Sequence, residues 1–142
     1  MKKILVAVDG SDNAKKALGK AREIGELANS EIHLLYIVSC FRNCHPYVVD
    51  HAYEAEINRV LLEQGKIILE ESSKVFDGYP GKVNTSVLSG DVAKEIIDYA
   101  DKAQCDLIVM GSRGLNTFSR AMLGSVSNKV LNHAEISVLI VR

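Results

Sequence analysis

The sequence predicts an α/β fold in which a single open sheet of five parallel strands carries helices on both faces. Three observations point there. Short, continuously apolar runs such as Ile4-Leu5-Val6-Ala7-Val8 have the length and unbroken hydrophobicity of strands covered on both sides. Between such runs lie segments whose apolar residues recur every three or four positions, the period of an amphipathic helix. The two patterns alternate along the chain, which is the order that builds parallel sheets through helical crossovers.

Ile4 to Val8 is the first strand, broken by Asp9-Gly10-Ser11. From Asp12, residues Ala14, Ala17, Leu18, Ala21, Ile24 and Leu27-Ala28 form an apolar stripe, so a helix capped by Ser11 or Asp12 is expected. Ile32 to Val38 is the second strand, and the aperiodic segment from Ser39 to Asp50 reads as a loop. About His51 to Phe76 suits a long helix through Ala55, Val60, Leu61, Ile67, Ile68 and Val75, weakened in its middle by Gly65. It ends before the turn cluster Asp77-Gly78-Tyr79-Pro80-Gly81. Val83 to Leu88 is the third strand, and Ser89-Gly90-Asp91 opens a helix carrying Val92, Ala93, Ile96, Ile97 and Ala100. Leu107 to Met110, a loop from Gly111 to Gly124, a short helix from Ser125 to His133 and a strand from Val138 to Val141 complete the series. Nothing interrupts it, so residues 1-142 are expected to form one Rossmann-like domain. In such sheets ligands sit beyond the carboxyl ends of the strands where strand order reverses, which directs the search to the loops after strands one and four.

Composition narrows the function. With 47% hydrophobic and 25% charged residues the chain is globular rather than disordered. Seventeen Lys and Arg against eighteen Asp and Glu leave a formal charge of −1, so neither nucleic acid nor an anionic membrane surface is an expected partner. The apolar run after Met1-Lys2-Lys3 stops at Asp9, too early for a signal peptide, and no run nears the ~18 residues of a membrane span. Three cysteines supply no disulfide framework, and a cytoplasmic location is expected.

The chemistry lies after the fourth strand. Gly111, Gly114 and Gly124-Ser125 spell G-x2-G-x9-G-S, running from a buried strand into a helix. Gly111 and Gly114 let backbone approach an anionic ligand and permit positive φ if the turn demands it. The helix after Gly124 offers free N–H groups and the positive end of its dipole to phosphate, with the Ser125 and Ser127 hydroxyls as added donors. No P-loop and no dinucleotide G-x-G-x-x-G fingerprint occurs.

Along nearly its whole length the chain resembles the universal stress protein family. The resemblance rests on Ile4 to Ser11, on His33-Leu34-Leu35-Tyr36-Ile37, on Gly90 with Ile96, Ala100 and Asp106 to Gly111, and on Gly124-Ser125-Val126-Ser127 through Leu139 to Arg142. The glycine spacing is similar to that of the ATP-binding branch, whose fold is adenine-nucleotide alpha-hydrolase-like. The resemblance implies that Ala7, Val8 and Asp9 flank the adenosine, that Ile37 borders the adenine, and that Met110, Gly111, Gly114, Gly124, Ser125 and Val126 hold ribose and phosphates. Arg113, Ser127 and Asn128 are further candidates for phosphate contact. Mg2+ or Mn2+ is expected to accompany the ATP, and the resemblance implies a homodimer paired through strand 138-141. The exposed apolar edge of that strand independently calls for a partner. The family commonly has Pro before the last strand, where this chain has Ser137.

Three functions stay open at this point. An ATP-dependent regulatory switch in stress response, read by an unknown protein partner, fits a phosphate cradle in which Asp9 is the one carboxylate at hand for a base. A slow ATP hydrolase or an adenylyl or phosphoryl transferase would have to rely on Asp9, a metal and Arg113. A nucleotide-independent dimeric binding module would act through its dimer surface, or through the loop of Cys40, Cys44, His45 and His51. That loop is a candidate zinc or copper site, a candidate redox pair, or a thiol loop of no special chemistry.

Overall fold

The computed structural model describes residues 1–39, 47, 50–115 and 122–142. In order, the elements are β1 (Lys3–Ala7), α1 (Asp12–Ala28), β2 (Glu31–Ser39), α2 (His51–Ser73), a 3-10 turn (Lys74–Phe76), β3 (Val83–Gly90), α3 (Val92–Ala103), β4 (Leu107–Gly111), α4 (Ser125–His133) and β5 (Ser137–Val141). All strand pairs are parallel, in the order β3-β2-β1-β4-β5. The expected α/β sheet is therefore present, and its order reverses between β1 and β4.

Alternate residues of the central strand serve opposite faces. Ile4, Val6 and Val8 pack with Ala17, Leu18 and Ala21 of α1 and Leu69 of α2. Leu5, with Leu35 and Ile37 of β2, packs against Ala93, Ile96 and Ala100 of α3 and Val130 of α4. β1 and β4 are nearly continuously buried, which explains why they read as unbroken apolar runs.

Local chemistry sets the helix limits. Ser11, not Asp12, caps α1, its Oγ accepting from the Ala14 N–H at 3.1 Å, and Asn29 closes the other end with φ 52°. Asp91 caps α3 through the Lys94 N–H at 3.0 Å, so that helix starts at Val92. β3 runs on to Gly90 because β2 pairs with it as far as Ser39. Gly65 does not interrupt α2: a Cβ there would lie 2.5 Å from Tyr36 Cδ1, so the position is glycine because a ring packs on it. The buried face of α2 passes through Gly65, Leu69 and Ser72, whereas Val60 and Ile67 are 50% and 61% exposed.

At the amino ends of the strands side chains tie the turns together. Asp106 Oδ2 accepts from the backbone N–H groups of Lys2 and Lys3 at 2.6 and 2.8 Å. The Tyr79 hydroxyl donates to the Ser30 carbonyl, and Ser30 Oγ donates to that of Met1. Cys105 is buried, and burial pushes its thiol up to about 11. His33 is buried with Nδ1 2.9 Å from the Tyr99 hydroxyl. No helix among the described residues is long and apolar enough to cross a membrane.

Candidate functional site at the strand-order reversal

A cleft of about 290 Å³ opens beyond the carboxyl ends of β1 and β4. Its size is near the lower end of small-molecule sites, roughly 300 Å³. Ala7, Val8, Asp9, Ile37, Met110, Gly111, Arg113, Gly114, Gly124, Ser125, Val126 and Ser127 all line it, so the structure gathers twelve of the thirteen residues singled out in the sequence around one space; Asn128 is not among its lining residues. Tyr36, Leu35, Ser11, Val92 and Ile96 line it as well. Val92 and Ile96 come from the start of α3, which β2 and β3 bring alongside.

Ser112 holds the cradle together. Its N–H donates to the Val141 carbonyl at 2.8 Å, and its own carbonyl accepts from the Gly124 N–H at 2.8 Å and from Ser127 Oγ at 2.9 Å. The end of β4, the end of β5 and the start of α4 thus meet at one buried residue. Ser127 Oγ also lies 3.0 Å from the Gly124 carbonyl, so its hydroxyl proton is used inside the protein. Ser127 also lines the cleft, and these bonds fix the position of the turn.

The glycines divide by role. Positive φ falls at Gly10, Gly78 and Gly90 and at none of Gly111, Gly114 and Gly124, so left-handed backbone is not what the motif requires. A Cβ on Gly111 would meet Asn13 Cβ at 2.8 Å and Asn13 C at 2.9 Å, which makes this glycine a packing requirement of α1. A Cβ on Gly114 would come within 2.7 Å of Asp9 Oδ2, on a carboxylate that lines the cleft. A Cβ on Gly124 would make only ordinary contacts, the nearest at 3.4 Å.

Electrostatics favour an anion at one end of the cleft. Gly124 is the N-cap of α4, and no side chain among the described residues caps it, whereas α1, α2 and α3 are capped by Ser11, Asp50 and Asp91. The first N–H groups of a helix have no intrahelical acceptor and carry its positive dipole end. Here they open on the cleft, with Arg113 on the same wall. Asp9 also lines the cleft, beside Gly114, and its Oδ1 accepts from the Ser11 N–H at 2.9 Å. Burial, and after it the Asp9 charge, push the Tyr36 phenol above its ordinary value. The arrangement can hold a ligand with an anionic end at α4 and hydrogen-bond donors toward Asp9.

Cys40, Cys44 and His45 lie outside the described residues. His51 starts α2, 4.0 Å from Glu54. Among the described residues no group of three or more His, Cys, Asp and Glu is placed to hold a metal.

A parallel sheet with helices on both faces and a cleft at its strand-order reversal defines a class of doubly wound α/β proteins. Within that class the chain belongs to the universal stress protein family, whose sequence profile matches residues 1–142. Universal stress protein YxiE of Bacillus subtilis is 34% identical, over 99% of this chain and 98% of its own length. The structure of UspA from Lactobacillus plantarum superposes with a TM-score of 0.86 at 26% identity, over 99% of this chain and 97% of that one. The universal stress protein from Archaeoglobus fulgidus in complex with dAMP shares the fold, with a TM-score of 0.74 at 21% identity over 100% of this chain and 98% of that one.

Proposed function

We propose that this chain is an ATP-binding universal stress protein, a single domain over residues 1-142 acting as a nucleotide-dependent switch in the cytoplasmic stress response. The observation that carries the reading is the uncapped start of α4 opening on the cleft beside Arg113. Three phosphates need donors and positive potential, and this corner supplies both. The apolar walls at Ile37 and Met110 suit an adenine, and Asp9 suits a ribose hydroxyl or a base amine, since an ionised carboxylate only accepts. That the structure of a protein of this fold is in complex with dAMP is compatible with the reading. Mg2+ (or Mn2+) would be held chiefly by the phosphates, as such ions are, with Asp9 the carboxylate lining the cleft.

The protein would act as a homodimer. β5 is an edge strand whose Val138 to Val141 remain only half-buried, and pairing with the same strand of a second copy would cover it. Nucleotide occupancy would change the surface read by a protein partner.

Isothermal titration of the purified protein with Mg-ATP, Mg-ADP and AMP, with product analysis on the same samples, tests this. Saturable ATP binding with turnover below a few per minute supports the switch. Faster product formation selects the hydrolase or transferase. No heat with any nucleotide leaves the nucleotide-independent module.

A further inference from the structure

Gly65 lies in the middle of α2 and does not line the cleft, yet it is buried, and the three atoms nearest to a Cβ built there all belong to the Tyr36 ring. A Cβ at this position would sit 2.5 Å from Tyr36 Cδ1, 2.8 Å from Cε1 and 3.4 Å from Cγ, so the Tyr36 ring lies flush on the helix backbone. Glycine inside a helix is less favourable than alanine by about 1 kcal/mol, and the ring accounts for its presence here. Beyond the helix contact, the same residue forms part of the cleft wall, next to Val8 and Asp9. A second contact backs the same corner: a Cβ on Gly10, which follows Asp9, would lie 3.3 Å from Ile68 Cδ1 of α2. The helix thus supports the Asp9 corner at two points, directly through Ile68 and indirectly through the ring lodged on Gly65.

We infer that Gly65 is a positioning residue for the nucleotide site, holding Tyr36 back against α2 so that the cleft beside Asp9 stays open. The inference rests on the nucleotide reading above. A side chain at position 65 displaces the ring away from α2, into the space that the ligand would fill. Tyr36 senses that corner electrostatically, since the Asp9 charge adds to burial in raising its phenol. By the same contact, a ligand that presses on Tyr36 is felt by α2.

The test is a double-mutant cycle read by Mg-ATP titration. Gly65→Ala should weaken binding about tenfold in the wild-type background and hardly at all when Tyr36→Leu has removed the ring, the coupling expected of residues that share one packing contact. Thermal unfolding of the same four proteins supplies a second readout. In the Tyr36→Leu background Gly65→Ala should stabilise, because only its helix propensity is left to act. Unchanged affinity in folded Gly65→Ala would overturn the inference, since it would mean that α2 and not the ring gives way. If Gly65→Ala does not fold, NMR of the wild type decides. Mg-ATP must then shift the Gly65 amide and the Tyr36 ring together with Ser125 and Val126. Shifts confined to Ser125 and Val126 refute the role of Gly65 and keep the nucleotide reading. No shifts anywhere in the cleft refute the nucleotide reading, and the inference falls with it.

Discussion

The two ends of the sheet are built from the same strands and treat their polar groups in opposite ways. At the amino ends, Asp106 gathers the N–H groups of Lys2 and Lys3, Tyr79 takes the Ser30 carbonyl, and Ser30 takes that of Met1. At the carboxyl ends, α1 is capped by Ser11, yet α4 begins at a glycine with no side-chain cap among the described residues. A fold satisfies polar groups by default, so a helix start left open on a concave surface marks where a ligand is expected to complete the bonding.

That contrast can be broken most sharply at the glycines. Gly111→Ala should cost about 2–3 kcal/mol in urea unfolding, since its Cβ would collide with the backbone of α1. Gly124→Ala should cost less than about 1 kcal/mol, the scale of a cap substitution with room for the methyl. Equal costs would contradict the division of the motif into a packing glycine and a cleft glycine. Next in size, Ser127→Ala should lose about 1–2 kcal/mol, because it leaves the buried Ser112 carbonyl one donor short. Its ATP affinity should fall less than its stability if the hydroxyl serves only the frame.

The closed end yields smaller, pH-dependent effects. Hydrogen bonds from the Lys3 and then the Lys2 backbone hold the Asp106 carboxyl below its ordinary 3.8. A depressed carboxyl stabilises the fold above its unfolded value and loses that contribution as pH falls through the folded one. The destabilisation caused by Asp106→Asn, measured by urea midpoints, should therefore be full at neutral pH and shrink below about pH 4. His33 runs the other way. Burial outweighs the attraction of Glu31 and lowers its value from 6.5, so the folded chain favours the neutral ring and stability declines as pH falls below 6.5. His33→Gln should flatten that decline, and a parallel slope in the variant would assign it to other groups.

Much of the architecture was legible in the sequence because each signal was local. Ser125 to His133 matches α4 to the residue, since the switch from turn to helix period is abrupt there. Boundaries slipped where pairing overrode propensity: β3 extends to Gly90 because β2 continues beside it. Gly65 read as a weak point in a helix, whereas the structure shows a docking place for a ring from a strand nearly thirty residues earlier, a contact that periodicity does not encode. Twelve of the thirteen candidate residues, all but Asn128, share one cleft because strand ends at a reversal point must converge. That Val92, Ile96 and Tyr36 line the cleft was not legible, because it depends on tertiary packing and not on spacing along the chain. The bond from Ser127 to Ser112 escaped for the same reason.

The open start of α4 as a phosphate site is tested most directly by thermal unfolding of the wild type and Gly124→Asp, each with and without millimolar Mg-ATP. Aspartate is among the best N-caps and its charge suits the helix dipole, so without nucleotide the variant should be more stable than the wild type by about 0.5 kcal/mol. Its carboxylate would occupy the donors that phosphate needs. The account predicts a wild type stabilised by Mg-ATP, by about 2.7 kcal/mol at a hundredfold excess over Kd, and a variant that no longer responds. Equal stabilisation of both proteins, or none in the wild type, would contradict it.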